Sequence, residues 1–300
     1  MKRILVALVV ALLLAAAAVP TDAQQPRIPP RPRPLPTPTL LAPGMQPTIA
    51  PALLLVQARL AAKQQQTLHQ DKKQDKKSRR SSRPSKDTFR GFDWTNLGIA
   101  TRVRDQGKAG TCWAHAGVEA LEASVEIRTD NFPLLAVQPI LDQLRHSQGG
   151  DACMVFPELM RKGTGLAQDY PYLVGKLNPP EKGPLPYKAL AWGYVARPDR
   201  QATVAQIKEA LLLHGPLYTT LYASTPGFKH NKGEVMAEKG PFPEVNHSVL
   251  LVGWDDTRKA WKIKNSWGAH RWGNKGYGWV AYGHYRIGTS TAWVQARVGL

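Results

Sequence analysis

Seven prolines fall between Pro26 and Pro38. Residues that lack a backbone N–H and have φ locked can build neither a helix interior nor a sheet ladder. This stretch is therefore extended spacer, and a packed core must come from the chain after it. Before it, Lys2-Arg3 and the fifteen apolar residues Ile4 to Ala18 lead to Pro20 and Thr21-Asp22-Ala23. That order is a signal peptide with cleavage after Ala23, because the apolar run falls short of the ~20 residues a spanning helix needs. After the prolines, Ala52 to Gln70 reads as one modest helix, and Lys72 to Arg90 is polar and basic. The expected division is a signal peptide (1–23), a Pro-rich and basic pro-segment (24–90), and a working domain (91–300). Arg79-Arg80, Arg83 and Arg90 are candidate processing points.

The formal net charge of +18 raises the question of nucleic acid. Its location answers against one. Residues 1–90 hold 16 Lys/Arg and 4 Asp/Glu, whereas residues 91–300 hold 24 and 18. The excess belongs to a linker with few aromatics, which reads as solvated and protease-accessible. Only Cys112 and Cys153 are present, so no disulfide framework is expected; Cys153 reads as a small buried apolar residue. No metal or cofactor is expected.

From Phe92 onwards tryptophans, glycines and apolar periodicity appear together, over about 210 residues, enough for a sizeable core. Helical patterning predicts helices over Cys112 to Arg128, Val137 to His146, around Pro157 to Lys162, and over Thr203 to Leu213. Gly215-Pro216 stops the last, and Leu217 to Tyr222 opens a strand-rich portion. Helices followed by a sheet predict an α+β fold.

Within this domain Gly110-Thr111 reads as a helix start with Thr111 as cap, placing Cys112 in a first turn, where the positive end of the helix dipole favours a negative sulfur. Trp113, Ala116, Ala120 and Ala123 form the face that buries this helix. His247 begins the apolar run Ser248 to Val252, and Trp261 to Asn265 alternates as a second strand. If Asp255-Asp256-Thr257 is the loop, His247 and Asn265 stand directly opposite in a hairpin. Cys112 is then the candidate nucleophile, His247 the base and later the acid, and Asn265 the group that orients the imidazole. The side chain of Gln106, with the Cys112 backbone N–H, is a candidate oxyanion donor. His115, one helical turn after Cys112, is the rival base and reads as a core histidine. Gly149-Gly150, from its residues alone, reads as a turn.

These segments resemble the papain-like cysteine peptidases, from about Phe92 to Leu300. Gln106 to Trp113 is similar to the nucleophile segment, Asn246-His247 to the base segment, and Lys264 to Gly268 to the orienting segment. Trp267 resembles the indole that shields the His–Asn hydrogen bond, Asp93-Trp94 the start of the mature enzyme, and Asp169-Tyr170-Pro171-Tyr172 another family segment. The resemblance implies a helical lobe and a sheet or barrel-like lobe with the active site in a cleft between them. It also implies peptide-bond hydrolysis through a thioester. Gly149, Gly150, Thr220, Val245, Asn246 and Trp267 become candidate cleft residues. Ala109 stands where the family usually has a cysteine, and the cysteine that would pair with it is missing too. The pro-segment lacks the interspersed helix motif of many relatives. Expected partners are peptide or protein substrates, with a proteinaceous inhibitor as a further candidate; the expected state is a secreted or periplasmic monomer without a membrane span. Competing readings are a cell-wall peptide amidase or transpeptidase on the same fold, and a non-catalytic binding module.

Overall fold

A computed structural model describes residues 90–100 and 102–298. The expected signal peptide and nearly all of the pro-segment, including the helix expected at 52–70, lie outside the described residues. In chain order the elements are β1 (Gly91–Asp93), a 3-10 turn at Trp94–Leu97, α1 (Cys112–Thr129), α2 (Gln138–Leu144), α3 (Ala152–Arg161), β2 (Ala189–Tyr194), α4 (Val204–His214), β3 (Leu217–Leu221), α5 (Pro226–Lys229), β4 (Val235–Met236), β5 (His247–Asp255), β6 (Ala260–Lys264), β7 (Tyr277–Ala281) and β8 (Thr289–Ala296). This is the expected α+β order, with three helices preceding most of the sheet.

Helix α1 forms the spine. The sequence suggests a single apolar face, but every residue from Trp113 to Ile127 is buried. Its small residues explain how neighbours close in on all sides: a Cβ added at Gly117 would sit 2.5 Å from Val155 Cγ1 of α3. Burial on every side also takes in three carboxylates, Glu119, Glu122 and Glu126. Buried charges need partners. Arg104 and Lys264 approach Glu119, Arg104 also bonds Glu122, and the backbone N–H groups of Leu135 and Ala100 donate to Glu122 and Glu126. Helix α3 starts at Ala152, five residues before Pro157, because the Asp151 side chain caps it by accepting from Cys153 N.

The strands form one sheet in the order β2-β8-β3-β5-β6-β7-β4, with β1 pairing the end of β5. Pairing is antiparallel except between β4 and β7. The run Val249 to Val252 reads as apolar throughout because β5 is central: β3 and β6 flank it and α1 covers it. The β5–β6 hairpin is wider than its sequence suggests. Asp255 pairs with Ala260, so the loop is Asp256 to Lys259, and an irregularity at Leu251/Gly253 shifts the register again to Leu250↔Lys264. His247 is therefore not opposite Asn265. Continuing that register puts Val249 opposite Asn265 and leaves His247 two residues away on the same face, a diagonal neighbour that a long side chain can still reach.

Candidate active site

Separate chain segments meet at a groove of about 500 Å³ whose walls include Gln106, Cys112, Gly149, Gly150, His247 and Trp267. On the helical side, Cys112 is the first residue of α1, at the positive end of an 18-residue helix. Thr111 precedes it without capping; its hydroxyl meets the Tyr172 hydroxyl at 2.6 Å instead. Tyr172 in turn donates to the Gln106 carbonyl at 2.9 Å, so one phenol ties both ends of the loop that runs into Cys112. Gly150 must lack a side chain, since a Cβ there would lie 2.5 Å from Trp113 Cδ2.

On the sheet side, His247 is 4 % exposed and Asn265 fully buried, with His247 Nε2 2.8 Å from Asn265 Oδ1. The Ser266 backbone N–H also points at that Asn265 atom, at 2.8 Å. A backbone N–H can only donate, so the shared atom is the carboxamide oxygen, and Nε2 is the ring nitrogen that carries hydrogen. Nδ1 is then the basic nitrogen. The Trp267 ring covers the imidazole at 4.7 Å between centroids, and Phe228 meets both rings edge-on.

Ser266 serves both sides. Its hydroxyl donates to Gln106 Oε1 at 2.6 Å, and its carbonyl accepts from Gln106 N at 2.8 Å. With the oxygen so held, Gln106 Nε2 donates one hydrogen to the Ala109 carbonyl at 2.8 Å and keeps a second for another acceptor.

Electrostatics set the cost of charge at this site. Burial pushes the Cys112 thiol above its ordinary range, opposed by donors from Ser248 and by the Trp113 N–H. Burial lowers His247 to about 4, opposed by its bond to Asn265. Either charge alone is disfavoured; a proton moved from sulfur to ring would create two opposite charges, which stabilise each other at short range. His115 is 1 % exposed and bonded through Nδ1 to the Thr111 carbonyl at 3.0 Å; burial lowers it to about 3. It sits in the core.

A family model described as papain family cysteine protease matches residues 89–296. The chain belongs to the papain family of cysteine proteases. Among curated relatives, cathepsin K of Gallus gallus is 35% identical over 192 residues, 62% of this chain and 56% of that protein. Cathepsin S of Bos taurus is 30% identical over 200 residues, 62% of this chain and 57% of that protein. The chain thus spans a little over half the length of these relatives. A cysteine protease of Carica candamarcensis, solved in complex with E-64, matches 68% of this chain and 97% of its own at 27% identity and a TM-score of 0.59. The bromelain protease of Ananas comosus, also solved with the E64 inhibitor, matches 69% and 98% at 25% identity and a TM-score of 0.59. The two-lobe papain fold expected from the sequence motifs is the fold of this chain.

In this papain-family chain the other expected cleft residues divide. Asn246 lines the groove, but its side chain turns away, accepting from Ala223 N at 2.8 Å and donating to Ser224 Oγ at 2.6 Å. Thr220 is buried, with its hydroxyl donated to the Thr289 carbonyl at 2.7 Å. Neither Thr220 nor Val245 lines the groove. Both cysteines are free thiols. Next to Ala109, where the resemblance implies a cysteine, Gly149 N donates to the Gly110 carbonyl at 2.8 Å and Gly110 N to Gln148 Oε1 at 3.1 Å. Ser266, Tyr172 and Ser248 were not singled out by sequence reasoning. The first two lie in segments the resemblance marked, and Ser248 follows the histidine directly, which is the only signal it offers.

Proposed function

We propose that this chain is an exported cysteine endopeptidase, made as a precursor, that hydrolyses peptide bonds through Cys112, His247 and Asn265. The observation that carries this reading is the 2.8 Å contact of His247 Nε2 with Asn265 Oδ1, which leaves Nδ1 as the base in a groove shared with Cys112 at a helix N-terminus. In the cycle, His247 takes the thiol proton and the sulfur attacks the peptide carbonyl. The tetrahedral oxyanion is met by Gln106 Nε2–H and the Cys112 N–H, donors worth ~3 kcal/mol each in comparable sites. The C–N bond then breaks as His247 returns the proton to the departing amine, leaving a thioester. Water, deprotonated by the same ring, cleaves the thioester and restores the thiol.

Export and processing rest on the leader: Lys2-Arg3, the apolar run and Ala23, then a proline-rich and basic stretch. No helix among the described residues is long and apolar enough to cross a membrane. Peptide and protein substrates follow from an open groove whose glycine wall lets an extended backbone approach. The test is turnover of fluorogenic peptides against peptidoglycan fragments by the purified protein, with Cys112→Ala as control. Peptide cleavage lost in Cys112→Ala supports the proposal; cleavage of the glycan-linked peptides alone, or peptide turnover that survives the substitution, rejects it.

A further inference from the structure

Beside the groove that Cys112 and His247 share, two buried hydroxyls meet. In the β3–β5 ladder Thr220 pairs with Ser248 and Tyr218 with Leu250, so alternation places Tyr218 and Ser248 on one face as diagonal neighbours. Their hydroxyls meet at 2.7 Å, with Tyr218 fully buried and Ser248 2 % exposed. Ser248 also borders the groove with Cys112, and its backbone N–H and hydroxyl both act to lower the pKa of the Cys112 thiol against the effect of burial.

Proton count fixes the direction of this chain. Each hydroxyl has one hydrogen to give. If Ser248 gave its hydrogen to Tyr218, the phenol, packed edge-on against Phe156, would need another acceptor, and the sulfur would face a lone pair. If Tyr218 donates to Ser248, both hydrogens are used and the last one faces the sulfur. Burial raises the Tyr218 phenol well above its ordinary range, which keeps its proton in place.

We propose that Ser248 donates its hydroxyl hydrogen to Cys112 Sγ and is held in that orientation by Tyr218, a two-hydroxyl relay that favours the ionised nucleophile. Ser248 is thus a positioning residue for the sulfur and Tyr218 a positioning residue for Ser248. The relay addresses a need that the His–Asn pair leaves open. The imidazole stabilises the thiolate only while it is itself protonated, whereas a hydroxyl donor does so in either state of the ring, and hydrogen bonds to charged groups are stronger than neutral ones.

The inference rests on Cys112 being the nucleophile, and one experiment separates the two questions. Iodoacetamide alkylation rates of the purified protein are measured across pH, with Cys112→Ala as the control. Cys153, whose thiol burial pushes up to about 12, should react slowly. If Cys112→Ala leaves the fast alkylation intact, the nucleophile assignment itself fails. If it removes it, the relay is read from three variants. Ser248→Ala should raise the pH midpoint by about one unit, with the acidic limb of kcat/KM moving in parallel. Tyr218→Phe, which keeps the ring and so the fold, should raise it by less. The double variant should go no further than Ser248→Ala, because the phenol acts only through the serine. An unmoved midpoint in Ser248→Ala or in Tyr218→Phe overturns the relay, as does a Tyr218→Phe shift that persists at full size in the alanine background.

Discussion

Lys264 offers the sharpest test of how the lobes are joined. It ends β6 one residue before Asn265, its side chain is 0 % exposed, and its Nζ lies 3.5 Å from Glu119 Oε1, two helical turns along α1 from Cys112. That separation exceeds the ~2.7–2.9 Å of a good charge-assisted bond, and the second partner of Glu119, Arg104 Nε, is at 3.6 Å. At an effective dielectric of about 20 a pair at this distance gains roughly 5 kcal/mol, while desolvation costs several kcal/mol per ion. Gain and cost are therefore comparable, and the pair should contribute little relative to a neutral pair. Breaking it is different. Lys264→Met leaves Glu119 buried with one distant cation beside two further carboxylates, and should cost ~3–5 kcal/mol, a loss of about 2 M in the urea midpoint at an m of ~2 kcal/mol/M. Lys264→Met with Glu119→Gln should return to within about 1 kcal/mol of the parent. Burial already holds the Glu119 carboxyl above its ordinary range, and removing the lysine raises it further. A raised carboxyl contributes stability at low pH and loses it as pH rises, so the single variant's deficit should shrink from pH 8 towards pH 5. Urea unfolding followed by tryptophan fluorescence reads all three. A single-variant loss under about 1 kcal/mol, or a double variant as unstable as the single, would refute the reasoning.

Two further outcomes follow from the site. Asn265→Ala removes a bond to a ring that becomes charged in the proposed cycle, so kcat should fall about 10–100-fold, less than His247→Ala, which deletes the proposed proton carrier and should cost ~10²–10⁴-fold; equal losses in peptide turnover would count against the orienting role. His115, held neutral to about 3 in the fold against ~6.5 unfolded, contributes stability that is present above pH ~6.5 and drains as pH falls towards 3. His115→Phe should therefore move the acid-unfolding midpoint, followed by circular dichroism, to lower pH; the Thr111 carbonyl still accepts from Ala114 N and His115 N, so the ring nitrogen is dispensable. An unchanged midpoint would contradict this.

The candidate catalytic residues stand out in the sequence because each lies in a short segment whose own pattern marks it, and the structure places them where those patterns put them: Cys112 at a helix start, His247 heading a buried strand, Asn265 just after an alternating one. What joins those segments does not stand out. The His247–Asn265 contact was expected from a three-residue loop, but the hairpin turns over four residues with Lys259 at φ 49°, a left-handed position that no glycine or asparagine announces. The contact survives because the diagonal is within reach. Thr111 looks like a cap from local sequence, yet Tyr172, 61 residues away, takes its hydroxyl. Ser266 bonds Gln106 across 160 residues, and Thr220 turns to Thr289. Such side-chain bonds depend on which segments the sheet brings together. Helix α1 misled for a related reason: Trp113 and three alanines pattern one face, but small residues also permit burial on every other face, where Arg104 and Lys264 stand beside its buried glutamates.

The central claim is that one sulfur, Cys112, is made reactive by one ring, His247. Treating the purified protein with an epoxysuccinyl thiol inhibitor and mapping the adduct by mass spectrometry tests it directly. The account predicts a single modification on the Cys112 peptide, lost in Cys112→Ala and strongly slowed in His247→Ala. Modification at Cys153, or labelling of Cys112 at an undiminished rate without the imidazole, would contradict it.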